Sequence, residues 1–373
     1  MNPYFVPRTP HRRIRVLVVD DSAVFRSVLG DILGQDADIE LVGCAIDAYD
    51  ARDRLANLQV DVMTLDLDMP RMPGLTFLKL IMERKPMPVI VVSAHTPTGS
   101  QKAVEALFSG AFAVLGKPEN ASYKEAFGER LLEDIKRAAV APMRPRRPTL
   151  LNPCLFASGR MPHYDPRQII ALGASTGGTQ ALADVLAMLP EDVPGIVMVQ
   201  HIPPGFSRSF AARLDRSSSI EVREAREGEV VRAGTALLAP GDRHLEVRWF
   251  RDHYRVHLHD GPPVEHQRPS VDVLFNSLAP HAGPHVIAAL LTGMGRDGAA
   301  GMKRLHDAGT CTLAQNAESS VVYGMARKAV ELDAVDSIVP LENMAAAILK
   351  ALEHHQHQHQ HPNHSRTTTA SYA

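Results

Sequence analysis

The sequence predicts an α/β protein of two domains, the first a doubly wound parallel sheet and the second an α/β domain on a parallel sheet. Three observations carry that expectation. Short, uninterrupted apolar runs recur along the 373-residue chain and alternate with amphipathic stretches, the pattern of strands buried on both faces. Polar residues of matched chemistry follow the C-terminal ends of these runs, the edge at which open parallel sheets hold ligands. A Pro/Arg-rich stretch, Ala141-Pro142-Met143-Arg144-Pro145-Arg146-Arg147-Pro148, is poor in core formers and divides the chain. The expected boundaries are a first domain at 12–137, a linker at 138–165, a second domain at 166–350 and a His-rich disordered tail at 351–373.

In the first domain, residues 14–19 form a short apolar run that ends in Asp20-Asp21-Ser22. An amphipathic helix follows, with Val24, Phe25, Val28, Leu29 and Ile32 on one face. The run at 62–65 ends in Asp66, that at 89–92 in Ser93, and that at 112–116 in Lys117-Pro118. A final helix is expected around 131–136. Any single Asp at a strand end is most simply an N-cap or a solvated loop residue. Asp20, Asp21 and Asp66 together are different, because clustered carboxylates repel and raise one another's pKa. A hard divalent cation such as Mg²⁺ relieves that repulsion, taking oxygen ligands and keeping several waters. One Asp can then attack phosphorus, with Ser93 and Lys117 stabilising the charged oxygens.

In the second domain the run at 169–174 ends in Gly173-Ala174-Ser175-Thr176-Gly177-Gly178. Small residues there permit a sharp strand-to-helix turn that lifts a Ser hydroxyl clear and aims helix N-terminal N–H groups at a developing oxyanion. Alone, this motif reads as an ordinary tight turn. The run at 195–200 delivers His201 before Pro203-Pro204-Gly205, and the run at 286–291 empties into Thr292-Gly293-Met294-Gly295-Arg296-Asp297-Gly298. Three equivalent strand ends thus carry Ser, His and Asp, the constellation of nucleophilic catalysis. Their chain order, Ser then His then Asp, separates the sequence from α/β-hydrolases, whose His comes last. Ser175 also stands where a dinucleotide-binding fingerprint needs Gly. Asp242 and His244, after the strand-like segment 236–241, form a second-choice pair at the same rim.

These motifs resemble those of the chemotaxis response regulator protein-glutamate methylesterase family over nearly the whole chain. The N-terminal half matches a flavodoxin-like receiver domain at Asp20, Asp21, Asp66, Ser93 and Lys117. The C-terminal half matches a parallel-sheet serine esterase domain at 173–178, Gln200-His201-Ile202-Pro203-Pro204-Gly205-Phe206 and Ala239-Pro240-Gly241-Asp242-Arg243-His244. Further matches are Arg268-Pro269-Ser270-Val271-Asp272, residues 291–298 and Ala314-Gln315-Asn316. The resemblance implies phosphorylation of Asp66 with Mg²⁺ held by Asp20, Asp21 and Asp66, and Ser93 and Lys117 as receiver switch residues. It implies Ser175 as nucleophile, His201 as general base and Asp297 as its orienting partner; main-chain N–H groups near Thr176, His201 and Met294 are expected as the oxyanion donors. No cofactor is implied for the esterase reaction. The implied substrates are glutamate γ-methyl esters and glutamine on methyl-accepting chemotaxis receptors, with a chemotaxis histidine kinase as phosphodonor. Val114 departs from the family, which usually carries an aromatic there; Asp68 stands where many relatives have Glu, and Ala326 where a Pro is frequent.

Composition agrees with this reading. A net charge of −2 and the lack of a helix-turn-helix pattern argue against nucleic-acid binding. Three widely spaced cysteines imply neither a disulfide framework nor a zinc site, and a cytoplasmic enzyme is expected. No apolar stretch reaches the roughly 20 residues of a membrane span, so no membrane insertion is expected, and a monomer is.

Overall fold

The computed structural model describes residues 12–93, 97–118, 124–141, 164–165 and 167–360. Most of the expected linker and the end of the tail lie outside them. The first domain is an all-parallel sheet of β1 (Ile14–Val19), β2 (Ile39–Ala45), β3 (Val62–Asp66), β4 (Val89–Ser93) and β5 (Ala113–Gly116). Its order, β2-β1-β3-β4-β5, places the topological switch between β1 and β3. Helices α1 (Ala23–Leu33), α2 (Ala48–Asn57), α3 (Gly74–Arg84), α4 (Pro97–Phe108) and α5 (Lys124–Val140) connect and cover it. Ser22 caps α1 by accepting the Phe25 N–H, and the helix buries Leu29, Ile32 and Leu33. Val114, where an aromatic is usual in the family, is buried in the core beside Val91.

The second domain is built on a seven-stranded parallel sheet in the order β14-β13-β12-β6-β7-β9-β8. These strands are β6 (Ile169–Ala174), β7 (Ile196–Gln200), β8 (Glu221–Glu224), β9 (Thr235–Leu238), β12 (Val286–Leu290), β13 (Cys311–Gln315) and β14 (Ser337–Val339). Helices α6 (Gly178–Ala187), α7 (Ser207–Asp215), α8 (Val271–Ala282), α9 (Ala299–Asp307), α10 (Met325–Glu331) and α11 (Leu341–Gln360) accompany them. The central strand β6 is flanked by β12 and β7, so the chain leaves it in one direction and returns on the other side. Ser175, His201 and the Thr292–Gly298 loop follow these three neighbours.

Two elements depart from the sequence reading. A separate antiparallel hairpin, β10 (His244–Phe250) and β11 (His253–His259), stands apart from the main sheet. Its strands alternate, burying Leu245, Val247, Tyr254, Val256 and Leu258 against Leu274, Phe275 and Leu278 of α8. α11 also runs to Gln360, so a helical backbone enters the stretch expected to be a disordered tail. Buried Met344, Ala345, Ile348, Leu349 and Leu352 anchor that helix to the core.

The domains meet through α4, which lies against α6 and α7. The ring of Phe108 sits 5.9 Å from that of Phe210, and the Arg213 guanidinium lies 5.1 Å from the Phe108 centroid. Val322, in the loop before α10, packs against the apolar cluster of the first domain.

Candidate active site and regulatory pocket

The second-domain site begins with the backbone of Ser175. Its N–H donates to the Thr292 carbonyl at 3.0 Å, and its own carbonyl accepts from the Gly178 N–H at 2.7 Å and from Gln200 Nε2 at 2.9 Å. The turn is therefore held from β12, from α6 and from β7. Gly177 takes a left-handed φ of 79°, which opens α6 directly after the Ser. Gly293 is fixed by close approach: a Cβ there would meet the Ser175 Cβ at 2.8 Å and the Met325 sulfur at 2.2 Å. Thr292 Oγ1 donates to the Thr176 carbonyl at 2.9 Å and accepts from the Val322 N–H at 3.0 Å, tying three loops around the hydroxyl.

The side chains expected to react are together. His201 Nδ1 lies 3.0 Å from Ser175 Oγ, and His201 Nε2 lies 2.7 Å from Asp297 Oδ2. A carboxylate can only accept, so the imidazole carries its proton on Nε2 and turns the Nδ1 lone pair to the Ser hydroxyl. Asp297 Oδ1 also accepts from Ser270 Oγ at 2.7 Å and the Asp272 N–H at 3.0 Å, and Oδ2 from the Val271 N–H at 2.7 Å. The carboxylate therefore sits on the N-terminus of α8, where orphan N–H groups and the helix dipole favour an anion. Burial works against its ionised form, but hydrogen bonds from His201, Ser270 and Asp272 outweigh that and hold the Asp297 carboxyl below its ordinary range. Asp272 is pushed the other way, to about 6, by burial and by the nearby Asp297, although it accepts the Gly301 N–H at 2.6 Å.

The N–H groups of Thr176 and Met294 have no hydrogen-bond partner among the described residues, whereas the His201 N–H is engaged by the Ala174 carbonyl at 3.2 Å. Asp242 and His244 are not brought to the Ser hydroxyl. Asp242 pairs with Arg268 at 2.7 Å, and the buried His244 bonds the Pro262 carbonyl and the Ser270 N–H. Sequence reasoning did not assign roles to Gln200, Ser270 or Thr292. Ser270 carried a signal, as a Ser heading an apolar stretch is an N-cap signature.

In the first domain, carboxylate oxygens of Asp20, Asp21 and Asp66 lie within 4.8 Å of one another. Lys117 Nζ reaches Asp20 Oδ2 at 2.9 Å and Asp66 Oδ2 at 2.8 Å. Burial raises the Asp20 carboxyl above its ordinary range despite that ammonium. Three carboxylates against one Lys, all hard oxygen donors, fit a divalent cation. The Ser93 hydroxyl is buried without a hydrogen-bond partner among the described residues, a donor that suits an incoming oxygen. Lys102 of α4 pairs with Asp68, two residues beyond Asp66, so the helix at the domain contact is tied to the loop beside this pocket.

Comparison with known proteins matches both halves. A family model described as CheB methylesterase covers residues 170–348, and one described as a response regulator receiver domain covers 16–124. The protein-glutamate methylesterase/protein-glutamine glutaminase 4 of Anaeromyxobacter dehalogenans is 49% identical over 344 residues, 92% of this chain and 96% of that one. Number 2 of Pseudomonas aeruginosa is 48% identical over 339 residues, 90% and 96% of the two chains. This chain belongs to the CheB methylesterase family. The Salmonella typhimurium protein-glutamate methylesterase/protein-glutamine glutaminase is 43% identical over 346 residues, 92% of this chain and 98% of its own. In this CheB-family chain the receiver domain precedes the methylesterase domain, each on its own parallel sheet.

Proposed function

We propose that the chain is a phosphorylation-regulated serine esterase that hydrolyses glutamate γ-methyl esters on methyl-accepting chemotaxis receptors and deamidates receptor glutamine. The observation that carries this is the continuous relay from Ser175 through His201 to the helix-seated Asp297. Ser175 Oγ attacks the ester carbonyl carbon as its proton passes to His201 Nδ1, and Asp297 stabilises the imidazolium. The free N–H groups of Thr176 and Met294 are the proposed donors to the oxyanion. Collapse breaks the carbon–methoxy bond, and His201 returns the proton to release methanol. Water, deprotonated by His201, then attacks the acyl-Ser175, giving glutamate and restoring the hydroxyl. An amide differs only in its leaving group, ammonia, so the same relay serves both reactions.

The receiver supplies the control. Asp66 is the proposed phosphoryl acceptor, Asp20, Asp21 and Asp66 the Mg²⁺ ligands, and Ser93 and Lys117 the contacts to phosphoryl oxygens. The bound ion would neutralise charge on the transferring phosphoryl group. In the unphosphorylated state the receiver packs α4 against α6 and α7 and receives Val322 of the catalytic domain on its own apolar cluster, and so restricts the Ser175 crevice. Phosphorylation shifts the population toward an open state by favouring receiver contacts that this packing does not use. The phosphodonor is a chemotaxis histidine kinase and the setting the cytoplasm. No described helix is long and apolar enough to cross a membrane.

The test is methanol release from a methylated receptor fragment, comparing the full chain with Ser175→Ala, with and without a small phosphodonor and Mg²⁺. Ser175-dependent release that rises with the phosphodonor is the expected result. A folded wild type that releases no methanol under either condition contradicts the reading.

A further inference from the structure

His244 lies outside the relay yet is 1% exposed, and both of its ring nitrogens are engaged. Nε2 lies 3.0 Å from the Pro262 carbonyl, and Nδ1 accepts the Ser270 N–H at 3.2 Å. A neutral imidazole has one donor and one acceptor, and this arrangement uses both. Burial pushes the His244 pKa down, with His259 and Arg268 acting in the same direction and the Pro262 bond and Asp297 against it. Protonation would set an N–H against the Ser270 N–H, so the neutral Nε2–H form is the one the contacts require.

Ser270 is the residue through which this bond reaches the chemistry. It caps α8, its Oγ donates to Asp297 Oδ1, and the next N–H, of Val271, donates to Asp297 Oδ2. Its own N–H precedes the helix and has no carbonyl of the helix to meet. His244 supplies that acceptor from β10, an element otherwise remote from the relay. Asp242 acts on the same segment through Arg268, whose guanidinium also donates to the carbonyls of Asp260 and Gly261.

We propose that His244 is a positioning residue of the esterase reaction, holding Ser270 through its main-chain N–H so that the α8 N-terminus presents three donors to Asp297 in register with His201. The inference rests on the assignment of Ser175, His201 and Asp297 as the reacting groups. It separates the two ring nitrogens: the Nδ1 contact matters to the reaction, and the Nε2 contact only seats the ring.

Two measurements test it. In the full-length protein, long-range ¹H–¹⁵N spectra of the imidazoles read the His244 tautomer without reference to activity, and the Nε2–H form is expected. An Nδ1–H form overturns the inference. The second compares His244→Asn, whose amide overlays Nδ1 and keeps an acceptor for Ser270, with His244→Gln, whose amide overlays Nε2 and keeps only the Pro262 bond. The Asn variant should turn over methyl ester close to the wild-type rate. In the Gln variant kcat should fall about 10- to 100-fold with KM unchanged, the scale of a misplacement of about 1 Å. Equal rates in the two variants, whether both high or both low, overturn the inference. Where the Gln variant does not fold, the tautomer decides. Wild type and Ser175→Ala run beside them separate the two claims: turnover that does not depend on Ser175 defeats the assignment of the relay, whatever the His244 spectrum shows.

Discussion

The two parallel sheets place their chemistry at the same topological edge but balance its charge differently. At the end of β6, the Ser175 hydroxyl, the His201 ring and the Asp297 carboxylate satisfy one another, and α8 absorbs the negative charge. At the ends of β1 and β3, three carboxylates share one ammonium, and at the end of β4 Ser93 offers a hydroxyl with no partner among the described residues. The first arrangement holds its donors and acceptors in place, as the proposed relay requires. The second sets three carboxylates against one ammonium, a charge balance that binding of the proposed Mg²⁺ and phosphoryl group would change. On the proposed reading one fold principle serves a catalyst and a switch, and the difference lies in how negative charge is balanced, by a helix N-terminus at Asp297 and by a single ammonium at Asp20 and Asp66.

The sharpest way to break this contrast is to remove the nucleophile. Ser175→Ala should lower kcat by on the order of 10⁵–10⁶-fold in the methanol-release assay, with or without phosphodonor. Next in size is Asp297→Asn, which presents an amide N–H or a weaker acceptor to His201 Nε2 and favours the wrong tautomer; a loss of about 10⁴-fold in kcat is expected. Changes in the receiver should leave basal turnover standing. Asp66→Asn, or chelation of Mg²⁺, should abolish only the phosphodonor-dependent increase, which a coupling of ordinary strength sets at about 5- to 150-fold.

The smallest expected effect is one of stability. The Asp272 carboxyl, raised to about 6 in the folded state by burial and by Asp297, binds its proton more tightly there than in the unfolded chain. Its contribution is fully favourable below the unfolded pKa and is lost as pH rises through about 6. Asp272→Asn should therefore raise stability near pH 8 by about 1–3 kcal/mol relative to wild type. The gain should vanish below about pH 4, as read from denaturation midpoints. Asp297 runs oppositely: its depressed pKa stabilises the fold above the unfolded carboxylate range, and that contribution is lost as pH falls through the folded value.

Much of this organisation was legible because strand ends are local features. The runs ending in Asp20, Asp66, Ser175, His201 and Asp297 needed only apolar continuity and a following polar residue to be placed on one edge. What seats Asp297 was not legible, since Ser270 and the first N–H groups of α8 come from about 25 residues away and act partly through main chain that carries no side-chain signal. Asp242 and His244 were drawn to the site by chemistry and by neighbourhood, and the structure engages them with the loop before α8. The hairpin β10–β11 had a visible period-2 pattern in His253 to His259, but nothing local told that it would stand outside the main sheet. The tail composition suggested disorder, yet α11, anchored up to Leu352, runs on to Gln360.

The most direct test of the contrast is the rate at which an active-site-directed phosphonate labels Ser175 in the full chain, first in chelator and then with Mg²⁺ and a phosphodonor. The account predicts labelling of Ser175 in chelator, faster labelling with Mg²⁺ and phosphodonor, and no acceleration in Asp66→Asn. Labelling that requires Mg²⁺, or that falls on a residue other than Ser175, would contradict it.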